Sequence, residues 1–152
     1  MATWGVTAAE GDPVAVSGTG RGYDIDLPAT AYLLAGDESA LPAITTILDA
    51  LPAATQVTVV VEVGSPEAKL EVGGPEAMAL SWHVLPSGAS PGDALVAAVE
   101  AATIDAGSRV WVAGEAASVQ RIRRHLFEVR GLERSQCSVR GYWKHGRAGD
   151  DG

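Results

Sequence analysis

The chain has 152 residues, enough for one domain with a sizeable core, and 47% of them are apolar while only 20% are charged. That balance excludes a disordered chain. A formal charge of −8 argues against broad nucleic-acid or acidic-membrane binding, because phosphate contacts need clustered Lys and Arg.

In chain order, residues 1–26 differ from the rest. "GDPVAVSGTGRGYDID" carries a turn, a short alternating strand Val14–Ser17 and a glycine-rich loop, and so reads as a strand and connector. "GTGRG" (18–22) has the wrong spacing for a dinucleotide fingerprint, follows no long buried strand and opens no helix. A βα alternation begins at Ala29. "TAYLLAG" (30–36) is a buried strand. "SALPAITTILDAL" (39–51) is a helix with Ser39 as N-cap, Pro42 in its first turn, and Leu41, Ile44, Ile47, Leu48 and Leu51 on one face.

"QVTVVVEVG" (56–64) is apolar almost throughout, as expected of a strand covered on both faces. "AKLEV" (68–72) and "MALSWHVL" (78–85) read as two shorter strands around a "GGPE" turn. A second helix spans 91–104, a strand "SRVWVAG" spans 108–114, and a third helix spans 115–131 with Gly131 as its C-cap. "SQCSVRGYW" (135–143) is the last strand, and residues 147–152 read as a frayed tail. The pattern predicts an α/β, Rossmann-like parallel sheet of about five strands with helices on both faces.

Ligands in such sheets bind outside the carboxyl ends of the strands, where strand order reverses. Two junctions with the same grammar of strand, glycine, acid and helix are therefore the candidates: Gly36-Asp37-Glu38-Ser39 and Gly114-Glu115-Ala116. For Asp37 and Glu38 the structural reading is capping of a helix start, and the functional reading is hydrogen bonding to an uncharged edge of a ligand. For Gly114 to Ala117 the alternatives are tight packing and the close approach of a flat ligand.

Of the 11 Lys and Arg residues, nine fall between Arg109 and Arg147, so the C-terminal third is basic on an acidic body. Arg121, Arg123, Arg124, His125 and Arg130 on the third helix read as a solvated face or as a surface for an anionic partner. "GYWKHG" (141–146) sets Tyr142 and Trp143 beside Lys144 and His145, an aromatic surface next to a cation that attracts flat anions. Its structural alternative is that Trp143 covers a sheet edge.

Cys137 is the one cysteine, which excludes an intramolecular disulfide and a cysteine-based zinc site. His83 and His145 are isolated, so no protein metal site is expected. No apolar run approaches the roughly 18–20 residues of a membrane span, and no basic-then-apolar segment opens the chain. The expectation is a soluble cytoplasmic protein.

Three segments, "LLAGDESALPAI" (33–44), "VWVAGEAASVQRIRRHL" (110–126) and "GYWKHG" (141–146), in that order and spacing, resemble the C-terminal half of the siderophore-interacting proteins, within the ferredoxin-reductase superfamily. The resemblance implies a ferredoxin-reductase C-terminal-domain fold over 27–146, with residues 1–26 as the end of a flavin barrel and its connector. It implies the nucleotide-binding half of a flavin-dependent ferric-siderophore reductase, passing electrons from NAD(P)H to FAD to an Fe(III)-siderophore. Most of the FAD barrel would be missing here, so the chain alone is expected to be inactive and not to hold FAD stably.

By the same resemblance, Gly36, Asp37, Glu38, Ser39, Gly114, Glu115 and Ala116 would face a cofactor, and Trp143, Lys144 and His145 a ferric siderophore. Two departures bear on this. Leu85 stands where many relatives carry an arginine after the tryptophan of "LSWHVL", which weakens the case for NADPH against NADH or no dinucleotide. Lys144 replaces a frequent arginine, keeping charge but losing the planar fork. The alternative is a non-catalytic siderophore-binding or interaction module, pairing with a separate flavin-barrel protein or, through Trp4, Tyr142 and Trp143, with a second copy of itself.

Overall fold

A computed structural model describes residue 29 and residues 31–146. The expected Val14–Ser17 strand, the connector and the tail at 147–152 lie outside the described residues. Five strands form one sheet: β1 (Ala31–Asp37), β2 (Gln56–Val63), β3 (Met78–Val84), β4 (Arg109–Glu115) and β5 (Cys137–Trp143). Their order is β3-β2-β1-β4-β5, and every pairing is parallel. Among the described residues the α-helices are α1 (Leu41–Ala50), α2 (Asp93–Ala101) and α3 (Ala116–Arg124). No helix among the described residues is long and apolar enough to cross a membrane.

The apolar runs of the central strands follow from burial on both faces. On β1, Tyr32 and Leu34 point into one cluster with Ile44, Leu48 and Val59, against α1. Leu33 and Ala35 point the other way, into a cluster with Leu95, Val99, Val112, Ile122 and Leu126, against α2 and α3. Alternation along each strand thus feeds two cores, and no polar face is left to give a period of two. The chain winds outward from β1 to β3, then crosses back to β4 and β5. Strand order therefore reverses between β1 and β4, and the crevice above that pair lies at Asp37 and Glu115.

"AKLEV" is not a strand. Residues 64–77 connect β2 to β3 through a 3-10 turn at Pro66–Ala68 and extended chain. Ala68 and Val72 pack against the α1-side core while Leu70 is exposed. The alternation that suggested a strand is that of a chain lying over a core without a ladder partner. The third helix is also shorter than its periodicity predicts. After Arg124 it continues as a π-turn, His125–Val129, which still buries Leu126, and Gly131 closes it with φ +70°.

Carboxylates determine where the helices begin. Asp37, not Ser39, is the cap ahead of α1: its side chain accepts the Ser39 N–H at 2.9 Å, within a 3-10 turn Glu38–Ala40. Glu62, near the end of β2, reaches across to α2 and accepts the N–H groups of Gly92 (2.8 Å), Ala94 (2.9 Å) and Leu95 (3.0 Å). Glu115 caps α3, accepting from the N–H groups of Ala117 (3.1 Å) and Ser118 (3.0 Å) and from the Ser118 hydroxyl (3.0 Å). Each replaces partners that the first turn of a helix cannot supply for itself. At the opposite end of α2, the Arg130 guanidinium donates to the Glu100 and Ala102 carbonyls at 3.0 and 2.6 Å.

Gly92 makes the α2 start feasible. Its φ is +95°, and a Cβ there would lie 1.7 Å from the Ser118 hydroxyl oxygen. Gly92→Ala is expected to destabilise the fold by about 2–5 kcal/mol, combining left-handed backbone strain with overpacking; urea unfolding midpoints measure it.

Glu115 carries a pH dependence. Burial would raise its carboxyl pKa, but the N–H groups of Ala117, Ser118 and His145 and the Ser118 hydroxyl together hold it below the ordinary 4.5. The native state therefore binds this proton more weakly than the unfolded chain. The stability it contributes is complete above pH 4.5 and is lost as pH falls through the lower folded value. The stability gap between wild type and Glu115→Gln should be constant near neutral pH and should narrow below pH 4.5, read from urea midpoints across pH.

Candidate functional site

Above the carboxyl ends of β1 and β2 lies a cleft of about 400 Å³, lined by Asp37, Glu38, Ser39, Glu62, Gly64, Leu85, Pro91 and Trp143. Three of these are carboxylates, and none is Lys or Arg. Asp37 and Glu62 are buried, at 7% and 5% exposure, so their charges are held by donors of the chain rather than by water. Glu38 is exposed and accepts the Gly64 N–H at 2.7 Å, which ties the β1–α1 turn to the end of β2.

The end of β5 joins the two junctions that the sequence singled out. The indole N–H of Trp143 donates to Asp37 at 2.8 Å. Two residues on, the backbone N–H of His145 donates to Glu115 at 3.3 Å. Two glycines allow this approach. A Cβ on Gly114 would lie 2.9 Å from an Asp37 carboxylate oxygen, and one on Gly141 would lie 3.1 Å from the Ala116 Cα. The three sequence segments are therefore one hydrogen-bonded assembly at the crevice.

The predicted residues divide into groups. Asp37, Glu38 and Ser39 line the cleft with Trp143. Gly36 lies beneath it, the direction of its absent Cβ filled by the Ala40 methyl and the Ala113 carbonyl. Gly114, Glu115 and Ala116 stand beside the cleft and support the Asp37 carboxylate and the β5 end. Lys144 and His145 are exposed on the rim, and His145 stacks edge-on against Trp143, ring centroids 6.3 Å apart. Tyr142 makes a similar edge contact with buried Trp111. Tyr142 and Trp143 keep 45% and 38% of their surface exposed, so this rim presents aromatic area beside a lysine.

Three cleft residues were missed in the sequence. Glu62 carries a legible signal, a lone acid near the end of a strand of β-branched residues. Gly64 and Pro91 carry none, because loop packing brings them in. Leu85, noted only as a departure from relatives, supplies an apolar wall.

Several cations of the third helix are engaged within the chain. Arg121 pairs with Asp93 at 3.0 Å, and that guanidinium, with the Ser90 N–H, lowers the Asp93 pKa. Arg123 donates to the Val139 carbonyl at 2.6 Å and to the Gln120 side chain. Beyond that helix, Arg134 lies 5.0 Å above the Phe127 ring. Burial pushes the Cys137 thiol up to about 11, against a smaller opposing effect of Arg109, so it is a protonated, unreactive side chain at neutral pH. No His, Cys, Asp or Glu cluster suited to a metal ion exists among the described residues.

Residues 29–146 match the sequence model of the siderophore-interacting protein family. The ferric vibriobactin reductase ViuB of Vibrio cholerae is 32% identical over 148 residues, 95% of this chain and 54% of that protein. Among solved structures, a siderophore utilization protein from T. fusca is 36% identical with a TM-score of 0.70, covering 82% of this chain and 48% of that one. The siderophore-interacting protein SipS from Aeromonas hydrophila is 29% identical with a TM-score of 0.69, covering 78% and 48%. A ferredoxin reductase in carbazole 1,9a-dioxygenase shares the fold alone, at 14% identity and a TM-score of 0.52 over 76% of this chain and 36% of that one. The chain spans about half the length of the first three relatives. It belongs to the siderophore-interacting protein family.

Proposed function

We propose that this chain is the α/β half of a flavin-dependent ferric-siderophore reductase, and that its own contribution is recognition of the anionic ferric chelate at the β5 rim. The observation that carries the reading is the assembly of Asp37, Trp143, Glu115 and His145, which fixes the rim and leaves Tyr142, Trp143 and Lys144 facing solvent. The Lys144 ammonium attracts negative charge, and the two aromatic faces offer flat apolar contact to catecholate rings. Trp143 is held by Asp37, so little side-chain freedom is lost when a ligand lands on it. The matched ferric vibriobactin reductase, 32% identical along 95% of this chain, supports a ferric chelate as the ligand class.

The flavin does not fit the described residues. Its pyrophosphate would need cations or free N–H donors, whereas the cleft offers three carboxylates whose donors are already engaged. This supports a reading in which the flavin is held outside the described residues and these residues alone do not carry the redox activity. Loss of the chain's own fixed rim would remove recognition without touching the redox chemistry, which belongs to the cofactor.

Titration with a ferric triscatecholate should quench tryptophan fluorescence saturably, and Lys144→Ala should weaken binding about two- to fivefold, as for one exposed charge beside an aromatic face. Unchanged affinity in Lys144→Ala would remove the rim from the reading. Mixed with FAD and NADH, the 152-residue chain should neither retain flavin through gel filtration nor reduce the chelate. Stoichiometric flavin retention with chelate reduction would contradict its inactivity.

A further inference from the structure

The start of a helix at the carboxyl edge of a parallel sheet is the ordinary place for a nucleotide phosphate. Its first N–H groups lack partners within the helix, and its dipole is positive there. In this chain the starts of α2 and α3 at that edge are occupied by the chain's own carboxylates, Glu62 and Glu115, and Asp37 takes the Ser39 N–H in the 3-10 turn that precedes α1. Glu62 and Glu115 are buried, at 5% and 4% exposure, and each is bonded to several donors. Neither can swing aside for a phosphate without stranding a buried charge, a change that costs more than the new contact returns.

The cleft walls act in the same direction. Leu85 and Pro91 offer no donor side chain, and the Gly64 N–H is taken by Glu38. A dinucleotide entering here would bring two phosphate charges to three carboxylates, with no cation in the lining and with the starts of α2 and α3 already occupied. We infer that the carboxyl-edge cleft excludes dinucleotide phosphates, so that NAD(P)H is not seated on this half despite its nucleotide-binding fold. If the reductase role proposed above holds, reducing equivalents reach the flavin from a donor that docks outside this cleft.

The test uses the 152-residue chain and three probes: NADH, NADPH and inorganic pyrophosphate, followed by the Trp143 indole N–H resonance and by equilibrium dialysis. Wild type should show no saturable binding up to about 1 mM. Glu38→Lys changes an exposed position whose partner is the exposed Gly64 N–H, and so leaves the buried caps intact while converting one cleft carboxylate to an ammonium. It should gain saturable pyrophosphate binding at low salt that weakens several-fold at high salt. Wild-type binding of either dinucleotide that shifts the Trp143 resonance overturns the inference, as does a folded Glu38→Lys chain that gains no pyrophosphate binding. The triscatecholate titration on the same sample reads the rim separately, so failure of one reading is distinguishable from failure of the other.

Discussion

The end of β1 holds the interaction on which the rest of the site depends: the buried carboxylate of Asp37, shared between the turn into α1 and the indole of Trp143. A charge at 7% exposure is tolerable only with hydrogen-bond donors around it. Those donors come from the Ser39 N–H and hydroxyl and from a side chain 106 residues further along. The carboxylate therefore requires β5 to be in place, and β5 requires Gly114 and Gly141 to lack side chains so that it can approach. Strand order, helix start and rim become one cooperative unit rather than three local features.

Glu115 repeats the arrangement on the neighbouring strand. It caps α3 with one set of donors and takes the His145 N–H with the same carboxylate. The "GYWKHG" segment is thereby held at two points, by a side chain at Trp143 and by backbone at His145. Lys144 lies between them, just past the end of the edge strand, and its position is defined although its side chain is exposed. A rim anchored in this way can present aromatic area without collapsing onto the sheet.

Much of this was legible in the sequence, and the omissions have physical causes. Buried parallel strands read clearly because both of their faces are apolar, and helices α1 to α3 read clearly from one apolar stripe each. The equivalence of Gly36-Asp37 and Gly114-Glu115 was visible as repeated grammar. What single-segment reading could not supply was the partner of each acid. Asp37 as cap in place of Ser39 depends on the 3-10 turn between them, and the bond to Trp143 spans most of the chain. Glu62 caps a helix 30 residues away, a contact that exists only because strand order places β2 beneath the start of α2. "AKLEV" misled because alternation records one-sided burial, not a ladder partner.

The same caps change what this fold can do. In a sheet of this type the helix starts are the anion-binding device, and their use depends on leaving N–H groups unpaired until a ligand arrives. Here buried carboxylates of the chain hold the first N–H groups of α2 and α3, and Asp37 holds one in the turn before α1. A floor that is self-satisfied and negative repels anions, whereas exposed positive charge beside flat apolar surface attracts them. The β5 rim carries both features, with the Trp143 indole anchored on Asp37 and Lys144 exposed beside it. The parallel-sheet architecture keeps its helix starts at the carboxyl edge, and α2 and α3 each give theirs to a buried glutamate of the chain.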